Sequence, residues 1–154
     1  MITRPSTPQI ILDCRRELLE VLGPEITSDA GKVSVQMIEN VLRNVATRAS
    51  HEIAWMRDET TAMESYARDT LHVLPGSSSV QAALEALAAG PHESLHLDDV
   101  ATVYSLAGEA LSCGLEAALA SGEKALAERG AALLSARTAT ELQIMGEWGF
   151  VGRG

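Results

Sequence analysis

The chain has 154 residues, 12 basic and 21 acidic, for a net charge of −9, a length that suits one ordinary domain, 1–154, with its own core. The acid excess is −3 over residues 1–76 and −6 over residues 77–154, so neither half offers the clustered Lys and Arg that neutralise phosphates, and a nucleic-acid binder is excluded. Aromatic residues make up 3% while Ala and Leu recur throughout, which argues against sandwiches and barrels and for an all-α bundle.

The first helix is announced by Thr7 as a cap and Pro8 at the first helical position. Ile11, Cys14, Leu18 and Leu22 then recur at helical spacing until Gly23-Pro24 stops it. Residues 1–14 hold two prolines and Asp13, so they lack the apolar core expected of a signal peptide, and no segment approaches the roughly 18 apolar residues of a membrane span. Cys14 and Cys113 each fall in an apolar helical pattern where a buried thiol fits. A reducing compartment, and so a cytoplasmic protein, is the expectation.

Residues 29–73 contain one glycine, Gly31, and no proline. Val35, Ile38, Leu42, Ala49, Ile53, Met56, Thr60, Met63, Ala67 and Leu71 stay in one stripe at 100° per residue, which predicts one uninterrupted helix. At about 1.5 Å per residue it would run roughly 65 Å, far for a small domain. It should therefore bend near Thr47–Ser50 or rest its end on another subunit. The opposite face carries Lys32, Arg43, Arg57 and Arg68, and Glu39 and Glu64 each precede an arginine by four residues, the spacing of helix ion pairs. That face reads as a solvated charged surface rather than an anion-binding ridge.

Leu74-Pro75-Gly76 breaks the pattern, and Ser77-Ser78-Ser79 offers a cap for a short helix over about 80–88, closed by Gly90-Pro91. Asp98-Asp99 suit the positive end of a fourth helix running to about Ser121. Its Gly108 and Gly114, each costing about 1 kcal/mol against alanine, predict close approach of another backbone. Gly122 separates it from a fifth helix over about 123–145, with Ala127, Ala131, Leu134, Thr138, Leu142 and Met145 as the expected buried row. The glycine-rich tail, 146–154, cannot continue it, and Trp148 and Phe150 should dock somewhere. The expected fold is thus about five helices around the long one, 29–73.

His92-Glu93-Ser94-Leu95-His96 matches H-E-x-x-H, in which two histidines one helical turn apart hold zinc and the glutamate polarises water. The flanking Gly90-Pro91 and Asp98-Asp99 put it in a polar interhelical loop instead. Asp69-x-x-His72 and Glu93-x-x-His96 have the spacing of di-iron bundles, but one lies at a helix end and the other in that loop. No nucleophile elbow, phosphate loop, dinucleotide fingerprint or Cys-x-x-Cys occurs, and no cofactor is expected.

The remaining strip of the long helix begins with Met37 and Val41 and continues as Arg48, Glu52, Trp55, Glu59 and Tyr66. Together with the apolar stripe it makes an arc of about 160°, wider than the roughly 100° one core requires. A second surface must cover it. Arg48 and Glu52 read as an internal ion pair beside interface aromatics; alternatively Trp55 and Tyr66 wall a pocket in which Arg48, Glu52 and Glu59 orient a polar ligand.

Arg4-Pro5 with the run from Ile11 to Glu20, then Val35-Gln-Met-Ile-Glu-Asn-Val-Leu42 and Glu52, resembles a family of short bacterial all-helical proteins of unknown function. The resemblance covers the first half of the chain and supplies no catalytic residues. Genes of that family neighbour acyl-CoA dehydrogenases and aminoglycoside-phosphotransferase-like kinases, so the resemblance implies an accessory role near acyl-CoA or small-molecule metabolism. The first expectation is therefore a non-enzymatic interaction protein, homodimeric through its surplus arc. The second is a bundle that binds a small, partly apolar ligand at the Arg48/Trp55/Glu59/Tyr66 face, and the third a metal-dependent hydrolase at His92, Glu93 and His96.

Overall fold

The computed structural model describes residues 4–145, and the regular structure within them is all helical. Helix α1 spans Thr7–Glu17 and is extended by a π-helical turn, Leu18–Leu22, and a last turn, Gly23–Glu25. It is followed by α2 (Asp29–Val73), α3 (Ser78–Ala88), α4 (Leu97–Ser121) and α5 (Lys124–Met145). The tail 146–154, with Trp148 and Phe150, lies outside the described residues, as does the Met145 side chain. Among the described residues no helix is long and apolar enough to cross a membrane. The chain divides into two compact units, Met1–Glu52 with Thr140–Gly154, and Ile53–Ala139. Helix α2 runs unbroken through the division, as its constant apolar phase predicts.

In the first unit the cap of α1 is Ser6, one residue before the expected Thr7: its backbone N–H donates to Gln9 Oε1 at 2.8 Å. Gly23-Pro24 does not stop the helix. Proline has no N–H to give and its ring collides with the carbonyl four residues back, and the π turn relieves both by widening the spiral. The Gly23 N–H bonds the Leu18 carbonyl, five residues back. The inserted residue shifts the helix face, so Leu18 is half-buried, Leu22 is exposed, and Gly23 takes the inward position against Val35. Cys14 is exposed rather than buried, because the inward stripe runs through Ile11, Arg15 and Leu18. Arg15 belongs there by virtue of its bond to Glu39, 2.8 Å from Nε and 2.6 Å from Nη2. Glu39 is thereby taken from its expected partner Arg43, which donates to Asn40 Oδ1 instead.

The core of the second unit is built from small and aliphatic side chains, as the composition requires. Met63 and Tyr66 of α2, Leu87 of α3, and Val103, Ala107 and Leu111 of α4 form one cluster. Ala67, Val80, Ala83, Leu84 and Ala110 form a second. Fully burying a side chain such as Met63, Leu87 or Leu111 contributes about 1.5–3 kcal/mol before entropy is counted. Gly122, at φ 76°, ends α4 in the left-handed conformation that glycine adopts without strain.

Helix α5 departs from expectation. The row Ala131, Leu134, Thr138 and Leu142 is exposed, and the inward row is one residue earlier: Leu126, Gly130, Leu133 and Arg137. The two rows differ by 100° of rotation. The inward one is hard to read because it contains a glycine and an arginine, and the structure gives each of them a role.

Candidate functional site

Glu59 on α2, Tyr104 on α4 and Arg137 on α5 converge in the second unit. The Tyr104 hydroxyl donates to Glu59 Oε2 at 2.6 Å, Arg137 Nε donates to the same oxygen at 3.2 Å, and Arg137 Nη2 donates to the Tyr104 oxygen at 2.9 Å. The guanidinium also lies over the Tyr104 ring, 5.6 Å from its centroid, within cation–π range. Burial pushes the Tyr104 phenol up, and its bond to the Glu59 carboxylate pushes it further. Burial alone would lower Arg137, but Tyr104 and Glu59 outweigh it and raise it. A cation, an anion and a hydroxyl thus satisfy one another where water is scarce, and the group ties three helices together. Tyr104 and Arg137 are absent from the sequence-derived candidates; the one hint is that Arg137 lies seven residues after the inward-facing Gly130.

Tyr66 is a core residue. It is 3% exposed, and its hydroxyl donates to the Leu126 carbonyl at 3.2 Å. The ring fits because α4 and α5 present glycines to it. A Cβ at Gly114 would lie 3.0 Å from Tyr66 Cε1, and one at Gly130 would lie 2.8 Å from its hydroxyl oxygen. The approach expected at Gly114 therefore occurs, against a side chain, while Gly108 has nothing within 4 Å. Beside Tyr66, Asp69 accepts from Arg129 of α5.

The five residues of the expected ligand face are thus distributed as follows. Arg48 and Glu52 belong to the first unit and are ion-paired with each other. Trp55, half-buried, Glu59 and Tyr66 belong to the second, where Glu59 is held by Tyr104 and Arg137 and Tyr66 fills the core.

His92, Glu93 and His96 occupy the turn between α3 and α4, so the two imidazoles are not stacked one helical turn apart. His92 Nε2 lies 2.6 Å from the Leu87 carbonyl, and His96 sits at the N-cap of α4. The turn is held to α4 by Ser94, whose hydroxyl donates to Asp99 Oδ2 at 2.6 Å. Among the described residues no group of three or more His, Cys, Asp and Glu side chains is placed to hold a metal ion.

That turn, the face of α2 carrying Arg57 and Thr60, and Val100 and Val103 of α4 enclose a recess of about 140 Å³. Thr60 is 9% exposed. Among the described residues neither its hydroxyl nor the Arg57 guanidinium has a hydrogen-bond or ion-pair partner. Glu64, also on the wall, is met by Arg68 at 2.6 Å.

In the first unit α2 carries an open apolar row. Val33, Met37, Val41 and Val45 follow one another at four-residue intervals with Ile38 beside them, and each is between 43% and 55% exposed. Helix α1 and its π turn add exposed Ile10, Leu12, Leu19, Val21 and Leu22. No family model, curated protein or solved structure matches the chain.

Proposed function

We propose that the chain is a non-enzymatic interaction protein that docks a second copy of itself through the apolar row of its first unit. The observation that carries this reading is the row Val33, Met37, Ile38, Val41 and Val45, left open on a helix whose other flank receives α1. Monomers rarely leave contiguous apolar surface of this kind in water. Charge favours a second copy as the occupant. Residues 1–52 and 140–154 carry 7 basic and 9 acidic side chains, net −2, whereas residues 53–139 carry 5 and 12, net −7. Two acidic chains meet with least repulsion where each is closest to neutral, and the Arg48–Glu52 pair beyond the row is neutral in itself. A two-fold dimer then sets the same row against itself.

The resemblance of the first half to short bacterial helical proteins supports an accessory role near acyl-CoA or small-molecule metabolism. Two free cysteines suit a reducing cytoplasm. The test is sedimentation equilibrium on the wild type, Val41→Glu and Leu119→Glu, the last an exposed site on α4. The wild type and Leu119→Glu should sediment as dimers and Val41→Glu as a monomer. A wild type that stays monomeric from about 1 to 100 µM contradicts the proposal.

A further inference from the structure

The recess between α2 and the start of α4 is independent of the dimer face, and its lining is specific enough to assign a ligand class. We propose that it binds a small carboxylate, with Arg57 taking the charged end, the Thr60 hydroxyl donating to it, and a short apolar tail against Val100 and Val103. The volume, about 140 Å³, is well below the roughly 300–1,000 Å³ of sites for drug-sized ligands. It therefore selects a molecule of a few heavy atoms.

The charge selects an anion. Three arginines share this face of α2, and two have partners: Arg43 donates to Asn40, and Arg68 to Glu64. Arg57 has none among the described residues, and it is the arginine at the recess. Its planar fork matches a carboxylate through two parallel hydrogen bonds. The carboxylate on the recess wall, Glu64, is paired with Arg68, which leaves the Arg57 guanidinium without a counter-charge among the lining residues.

Thr60 is the second, independent sign. Hydroxyls elsewhere on α2 donate to a carbonyl one turn back, as Thr61 does to Arg57 and Thr70 to Tyr66. The Thr60 hydroxyl makes no such bond among the described residues although nine-tenths of the residue is buried. The hydroxyl is not among the fully buried polar atoms left without a partner, so it is open to the recess that Thr60 lines, and a ligand oxygen there can accept from it. Val100 and Val103, both buried, give the apolar wall that distinguishes a short alkyl carboxylate from an inorganic anion. The bond between His92 and the Leu87 carbonyl holds the outer wall in place.

The probe is sodium isobutyrate, titrated into the full chain while backbone amide resonances are followed by NMR, with isobutyramide and sodium chloride as controls. Saturable shifts confined to Thr60, Thr61, Val100 and the turn at His92 are expected, with a Kd of millimolar order. Arg57→Gln, at an exposed position, should keep the dispersed spectrum of a folded chain and weaken binding at least about tenfold, and Thr60→Val should weaken it by a smaller factor. Shifts that do not saturate by about 50 mM, or that chloride reproduces, overturn the site. Equal binding of isobutyramide, or an unchanged Kd in folded Arg57→Gln, overturns the role of the charge.

Discussion

Two glycines of the second unit predict opposite outcomes for the same substitution. A Cβ at Gly130 would lie 2.3 Å from Leu115 Cδ2 and 2.8 Å from the Tyr66 hydroxyl oxygen. Leu115 can turn aside, but Tyr66 is enclosed and bonded to the Leu126 carbonyl. Gly130→Ala should therefore destabilise by about 1–2 kcal/mol, the overpacking cost of about 1–3 kcal/mol exceeding the gain in helix propensity. Gly108, with open space around it, should gain about 0.5–1 kcal/mol as alanine. Urea unfolding of both variants checks the pair, and a shared sign contradicts this account of α5 packing. The sequence marked Tyr66 as important but gave it the wrong setting. Its spacing on α2 was legible; the glycines that admit its ring, Gly114 and Gly130, are 48 and 64 residues away, and nothing local announces that a missing Cβ is required.

At the scale of elements, the long helix was legible because one apolar phase persists through it, whereas the inward faces of α1 and α5 were not. Both faces contain an arginine. Arg15 is turned inward by Glu39 and Arg137 by Glu59, and a hydropathy pattern assigns such residues to water. In α1 the π turn adds one residue of shift, which a fixed 100° step does not follow. If the Glu59–Arg137 bond holds α5 in register, its energy should exceed that of a surface pair. The two side chains are 17% and 24% exposed, so a double-mutant cycle with Glu59→Gln and Arg137→Met should give a coupling of about 1–2 kcal/mol. A coupling near the few tenths of a kcal/mol typical of exposed pairs removes that role. The tyrosines add a pH dependence. Burial raises both Tyr66 and Tyr104 above their ordinary value of 10.0, so the unfolded chain releases these protons first as pH rises. Their contribution to stability is complete below about pH 10 and is lost as pH climbs through the raised values. Tyr104→Phe should flatten the alkaline decline in urea midpoint, and an unchanged slope contradicts the assignment.

For the whole molecule, the distribution of charge and apolar surface is uneven. The second unit carries most of the negative charge and a closed core, and the first is nearly neutral and leaves apolar residues in water. The surplus apolar arc of α2 was legible in the sequence. Its covered and open parts were not, because Tyr66 and Met37 lie on one strip and only tertiary packing separates them. The arrangement makes sense if a second copy covers the open row. Disulfide cross-linking locates that contact most directly, in a Cys14→Ser, Cys113→Ala background with a single new cysteine at Val41, near the middle of the row. Mild oxidation at low concentration should convert Val41→Cys to a species of about 33 kDa, twice the 16.3 kDa chain, while Leu119→Cys, exposed on α4, stays single. A Val41→Cys chain that remains monomeric, or cross-links no faster than Leu119→Cys, contradicts docking through this face.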